Sequence, residues 1–362
     1  MKDKIVTYTF VIFISLFMIM SIILKDKDVS KLERRVLKST PNIKELLSSD
    51  NTYFSDLNSY FEDQFPFRDK FINTKSILLN KIVLNKINHN VLDYNDNLFE
   101  IDSSVNEKSI KHLINKITLV DKLYDIGSNS YFIMLPDKNY YLDSDIPKMD
   151  YDYMENLLKY YLPASIKWID VKDTLNIDSY YKTDIHFKQD KLENLLSRIR
   201  NNMDLSEYPY PNKIGKYKPF YGALYSKGSN KNLSDTINVL YNDSIRNSKV
   251  YNYEKKKHTK VYDKNNFNNI DGYDIFLEGA SPLIIIENSN SQSNKELVMF
   301  RDSFSSTLAP LLIDNYSKIT LIDLRYVSSI SIKNIDEVKI NKDTDVLFVY
   351  SVPIINNSFS LK

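Results

Sequence analysis

The sequence of 362 residues contains no cysteine. That absence excludes disulfides, CxxC redox chemistry, thiolate nucleophiles and cysteine-ligated zinc. Histidine is scarce, with only His89, His112, His186 and His258 available for imidazole chemistry. Net charge is almost absent too: 48 basic residues against 47 acidic leave +1, without the basic stripe that nucleic-acid binding needs. There is no Walker sequence and no GxGxxG, so nucleotide binding has no support. The acidic stretch LDSDIPKMDYDY lacks the spacing of an EF-hand loop, and neither a metal nor any other cofactor is expected. Glycine is rare, at 6 residues. What the chain has in quantity is hydrophobic residues, 43%, and tyrosine, 27. This is the composition of a globular chain able to bury a sizeable core. The tyrosines are spread over the whole length together with Asn, Lys and Ile, which reads as a coding bias rather than a sugar-stacking stripe.

One long apolar run is present. Ile5 to Leu24 carries no charge and follows Lys2 and Lys4, which is enough to cross a hydrocarbon core as a helix. No small-x-small cleavage site follows, so the run reads as an uncleaved signal anchor. Lys25, Lys27, Lys31, Arg34 and Arg35 lie just beyond it and pull against the positive-inside rule. Short tails before a first span usually stay inside, so the expected arrangement is a single-pass protein of the cell membrane with its main domain extracytoplasmic. Residues 1–26 form tail and anchor, the polar residues 27–52 a tether, and 53–362 the body.

Within the body, apolar spacing of three and four predicts helices from Tyr53 onward, with a break at Pro66, and again from Ser109 to Gly127. A strand over Tyr131 to Leu135, a helix over Tyr151 to Tyr161 and a strand over Ile166 to Val171 follow. Residues 203–275 are rich in Tyr, Asn and Lys and read as an insertion covering the sheet's edge. The pattern resumes with strands at 282–287, 297–300, 319–324 and 345–351 and a helix from about Ser305 to Ile313. Alternating strands and helices predict an α/β fold with a parallel sheet sandwiched by helices.

Ligands in such sheets sit beyond the carboxyl ends of the strands. LVMF-RDSFSS-TLAPLLI is a strand, a turn and a helix, and a serine in that turn can present its hydroxyl beside backbone N–H groups. Ser303 is that residue, although an Asp-Ser pair before a helix also reads as a plain N-cap. In YYKTDIHF, Asp184 and His186 stand two apart ahead of a helix and can form a base with its orienting acid. A weak nucleophile needs such a base, and of the four histidines only His186 is so placed.

These motifs resemble those of the DHHW proteins of Gram-positive bacteria and, more distantly, of the alginate O-acetylation proteins AlgX and AlgJ, which have SGNH-hydrolase-like domains. The likeness runs through LERRVLKSTPNIKELL, FEDQFPFRDKFI, LPDK, YYKTDIHF, FLEGASP and LVMFRDSFSS to LIDLRY. It implies a triad of Asp184, His186 and Ser303 serving O-acetyl transfer or acetylester hydrolysis on a cell-surface polysaccharide. It also implies a multi-spanning membrane O-acyltransferase as the partner that delivers the acetyl group. Two departures stand out. Asp-His-His-Trp is here Asp184-Ile185-His186-Phe187, and in FLEGASP Ala280 stands where an asparagine of the oxyanion hole is expected. The hole then falls to the backbone N–H groups of Ser303 and Gly279. Lys138 and Arg325 follow strand ends and are candidates for binding substrate at the rim; the alternatives are a solvated Lys138 and an Arg325 paired with Asp302 or Asp323. Tyr181 is a candidate for the pocket lining. Loss of the second His and of the asparagine leaves a second reading open, a non-catalytic glycan-binding or assembly protein of the envelope.

Overall fold

The computed structural model describes residues 2–30, 33–43, 52–81, 87–88, 90–143, 146, 148–228 and 230–362. His89 and much of the tether, 44–51, lie outside them. The apolar run forms one helix, α1 (Lys2–Ile23), whose stretch Lys4–Ile23 is long and apolar enough to cross a membrane. Helices α2 (Tyr53–Asp63) and α3 (Arg68–Lys81) flank the Phe65-Pro66-Phe67 corner. Proline cannot continue the helical hydrogen-bond ladder, and Phe67 turns the chain with a left-handed φ of 59°. In the body, α4 (Glu107–Tyr124) starts at Asn106, whose side chain accepts from Ser109 N at 3.2 Å. It ends at a left-handed Asp125, two residues before the expected glycine. Gly127 instead sits against the Lys342 backbone. Next come α5 (Tyr151–Tyr161), capped by Asp150, and α6 (Glu193–Asn202).

The central sheet is built from β1 (Ser130–Leu135), β2 (Ile166–Trp168), β3 (Lys249–Asn252), β4 (Lys257–Thr259), β5 (Leu283–Glu287), β6 (Glu296–Arg301), β7 (Lys318–Ile322) and β8 (Asp345–Ser351). Across it the order is β4-β3-β5-β7-β6-β8-β1-β2. The run β7-β6-β8-β1-β2 is parallel. It reads as near-continuous hydrophobic sequence because helices cover both its faces. Alternation sorts the side chains: Leu297 and Met299 face α6, while Val298 and Phe300 face α4 and α5. Strand β5 runs antiparallel to β7, contrary to the expectation of a parallel strand. Its link to β6 is only residues 288–295, too short for a parallel crossover. Strands β3 and β4 come from the expected insertion and extend the sheet's edge in antiparallel fashion. Residues 203–275 also include a hairpin, Lys213–Phe220 with Asp235–Tyr241.

Two further differences shape the site. The expected helix from Ser305 is a single α-turn, Ser305–Leu308, that continues as a 3-10 segment, Ala309–Asn315. Pro310 lacks the N–H that an α-helix would require there. Before α4, the strands Val91–Tyr94 and Asn97–Glu100 form a hairpin whose turn residues Asn95 and Asp96 both have positive φ. That is the two-residue turn that matches strand twist, and YNDN supplies residues that tolerate it. The hairpin docks on the Asp184 loop, with Leu98 N donating to Lys182 O at 2.8 Å.

Candidate active site

Ser303 stands at the carboxyl end of β6. Preceding it, Asp302 is fully buried and fixes the turn: Oδ1 accepts from Phe304 N at 2.9 Å, and Oδ2 accepts from Ser351 N and Ser351 Oγ, both at 2.7 Å. The carboxylate therefore ties the serine turn to the end of β8. Burial pushes the Asp302 carboxyl above its ordinary range.

His186 comes from the loop that leads into α6. Tyr180 and Phe187 close this loop by an antiparallel bridge, and Tyr181 N donates to His186 O at 3.2 Å. Inside it, Asp184 Oδ1 accepts from His186 N at 3.0 Å and lies 2.5 Å from His186 Nδ1. On the far side of the ring, His186 Nε2 lies 2.9 Å from Ser303 Oγ. An ionised carboxylate can only accept, so Nδ1 carries the proton and Nε2 is left to accept from the serine hydroxyl. Burial acts to raise the Asp184 carboxyl, but the imidazole, its hydrogen bond and the Arg34 guanidinium outweigh it. The group is held well below the usual carboxylate range.

Three features around this chain carried no signal in local spacing. Tyr273 stacks on the His186 ring with centroids 4.0 Å apart and planes 13° from parallel, and its hydroxyl donates to Ser303 O at 3.3 Å. Ala223 N donates to Asp184 Oδ2 at 2.6 Å, and beside it Gly222 packs so tightly that a Cβ there would overlap Asp184. Arg34, from the segment between α1 and α2, reaches Asp184 Oδ2 at 3.3 Å and also pairs with Asp271. In a chain with 6 glycines, each glycine was itself a pointer to a close approach. Nothing in the sequence said that Gly222 approaches Asp184.

The structure moves four expected residues out of direct roles. Lys138 is buried, its Nζ donating to Leu98 O at 2.9 Å and Lys182 O at 3.2 Å; burial pushes this ammonium down to about 7. It stands in the wall of a cavity of about 250 Å³ beside Ile185 and Val352 rather than on an exposed rim. Tyr181 is fully buried with its ring edge-on to Phe220, because the loop's alternation turns it into the core. Arg325 bonds Asp323 through Nε at 2.9 Å and through its terminal nitrogen at 2.6 Å, the ion-paired alternative. Gly279, left-handed at φ 82°, donates its N–H to Phe276 O at 3.1 Å, so that group is engaged in its own turn. The Ser303 N–H, in contrast, meets no acceptor among the described residues. Nor do three or more His, Asp or Glu side chains converge as metal ligands among them.

Neither a family profile nor a curated protein matches the chain. Solved structures do. A DHHW family protein from Eubacterium siraeum superposes with a TM-score of 0.59 at 18% identity, over 75% of this chain and 93% of that one. Bacillus cereus PatB1, solved with a sulfonyl adduct, gives 0.57 at 19% identity, over 73% and 95%. This likeness is one of fold. The O-acetyltransferase domain of Pseudomonas putida AlgJ follows at a TM-score of 0.42 and 14% identity, over 74% and 92%.

Proposed function

We propose that this chain is a serine-dependent O-acetyltransferase or acetylesterase, held in the cell membrane by α1 with its body extracytoplasmic, acting on a cell-envelope polysaccharide. One observation carries the reading: the unbroken hydrogen-bond chain from Asp184 through His186 to Ser303, with spacings of 2.5 and 2.9 Å. In the first half-reaction, Ser303 Oγ attacks the acyl carbonyl as its proton passes to His186 Nε2. Asp184 holds the imidazole in the tautomer that accepts it, and the free Ser303 N–H faces the developing oxyanion. The leaving alkoxide departs with that proton, and the acetyl group remains on Ser303. In the second half-reaction, a sugar hydroxyl or water gives its proton to His186 and attacks the ester carbonyl; the bond to Ser303 Oγ breaks, His186 returns the proton to that oxygen, and the outcome is transfer with the sugar and hydrolysis with water. The resemblance of the motifs to those of O-acetylation proteins supports acetyl as the group; the donor we propose, by that resemblance alone, is a multi-spanning membrane acyltransferase.

The engaged Gly279 N–H favours a second reading, a glycan-binding protein on the same fold. A missing hole donor costs about a hundred- to a thousandfold in rate. Intact mass separates the two. After incubation with an activated acetyl ester, the wild type gains one acetyl, Ser303→Ala gains none, and His186→Ala is slowed by roughly 10⁴-fold or more. A wild type that stays unmodified, while a sulfonyl fluoride also leaves Ser303 untouched, overturns the catalytic reading in favour of the second.

A further inference from the structure

Arg34 lies at the meeting point of both supports of the His186 ring. One support is the Asp184 carboxylate, whose Oδ2 faces the Arg34 guanidinium at 3.3 Å. The other is Tyr273, stacked on the ring, whose backbone N–H donates to Asp271 Oδ1 at 2.9 Å; Asp271 Oδ2 pairs with the same guanidinium. Arg34 thus joins Asp184 to Asp271 and, through them, the acid to the stacking residue. Its side chain is 14% exposed, and it has a left-handed φ of 53°. A bulky residue adopts that conformation at a cost, and only where its surroundings enforce it.

The neighbours of Arg34 supply the enforcement. Glu33 accepts from both terminal nitrogens of Arg68 on α3, at 2.7 and 3.0 Å. Arg35 forms a two-pronged pair with Asp63 on α2. These flanking side chains point to the α2–α3 hairpin, so Arg34 is turned the other way, into the site. We propose that Arg34 is a positioning residue: delivered by the segment that follows the anchor, it clamps Asp184 and the Asp271–Tyr273 arm and so sets the imidazole against Ser303. This rests on the catalytic reading above and adds that the triad is complete only when the juxtamembrane segment is docked.

The test uses the full chain in detergent. Arg34→Ala is expected to lower kcat for an activated acetyl ester about 10- to 100-fold with KM within about threefold, the pattern of a lost transition-state geometry. Arg34→Lys restores only part, because an ammonium cannot span two carboxylates as a planar fork does, and added ethylguanidinium restores part of the Arg34→Ala loss. Lys27→Ala breaks an exposed pair with Asp69 on α3 and is expected to leave kcat unchanged. Thermal unfolding separates lost positioning from lost folding, and Asp271→Asn, which keeps the volume, serves if Arg34→Ala does not fold. A second readout is independent of turnover: the downfield proton resonance of His186 Nδ1–H, assigned by its absence in His186→Ala, is expected to shift or broaden in Arg34→Ala. Equal or higher kcat in Arg34→Ala, or an unchanged resonance, overturns the proposal. If the wild type is acylated on Ser303 and Arg34→Ala is acylated equally fast, only this inference fails; if the wild type is not acylated, the catalytic reading fails and the resonance alone decides the role of Arg34.

Discussion

Gly222 is held between Asp184 and the Thr183 carbonyl, with its own N–H donating to Thr183 Oγ1 at 3.0 Å. A single methyl group there has to displace the carboxylate, since the backbone on the other side cannot yield. On the proposed mechanism Gly222→Ala is therefore expected to lower kcat for an activated acetyl ester by about 10- to 100-fold while costing the fold the ~1–3 kcal/mol of ordinary overpacking; steady-state kinetics alongside thermal unfolding would show the two effects apart. Full activity in Gly222→Ala would mean that the acid's exact position does not matter to the reaction. The same residue marks how far the site could be read from sequence. Asp184, His186 and Ser303 were legible because a strand-to-helix turn and a two-residue spacing are local patterns. Gly222, Tyr273 and Arg34 reach the site from remote segments, and their roles exist only in three dimensions. Lys138 and Tyr181 turn inward, which their place in the sequence does not reveal, while Arg325 makes one of the two ion pairs expected for it.

At the level of elements, the segment that follows α1 is fastened mainly by charge. Arg35 holds the Asp63 carboxyl down to about 2, first through their hydrogen bond and then through its charge and the Lys38 backbone N–H. A carboxylate depressed in the folded state adds stability that is complete above its unfolded value, about 4, and that disappears as pH falls through about 2. Leu37, in the same segment, is buried. Pepsin, which is active in acid, should spare the chain near Leu37 at pH 4 and cut there as pH approaches 2, whereas Asp63→Asn should be cut at both. Equal cleavage of the two proteins at pH 4 would show that other contacts hold the segment. The strands were the most legible elements: Asp345–Ser351 was read with its bounds as found, and β1 and β6 to within a residue or two. Long apolar runs bounded by polar turns have little freedom to be anything else. The hairpin at Val91–Glu100 and the 3-10 run after Ser305 were missed, because both depend on φ values and a proline position rather than on hydrophobic period.

For the molecule as a whole, the sheet is two groups of strands, β1-β2 and β3-β7, joined only through β8. Shortening the chain before Asp345 removes that join, exposes the edges of β1 and β6, and removes Ser351 from Asp302. Such a chain is expected to lose cooperative unfolding and to aggregate, as unpaired parallel edges do; a soluble product with a sharp thermal transition would contradict this. The α/β class was legible because it needs only the order of elements, whereas the antiparallel β5 depended on the length of one loop. The place of β8 also has a consequence for synthesis. A chain synthesised from its amino end holds Arg34, Asp184, His186 and Ser303 before the residues of β8 arrive. Until they do, the sheet stays open and the turn bearing Ser303 is unpinned. The four side chains are therefore fixed in their final arrangement in one late step, when nearly all of the chain has been made.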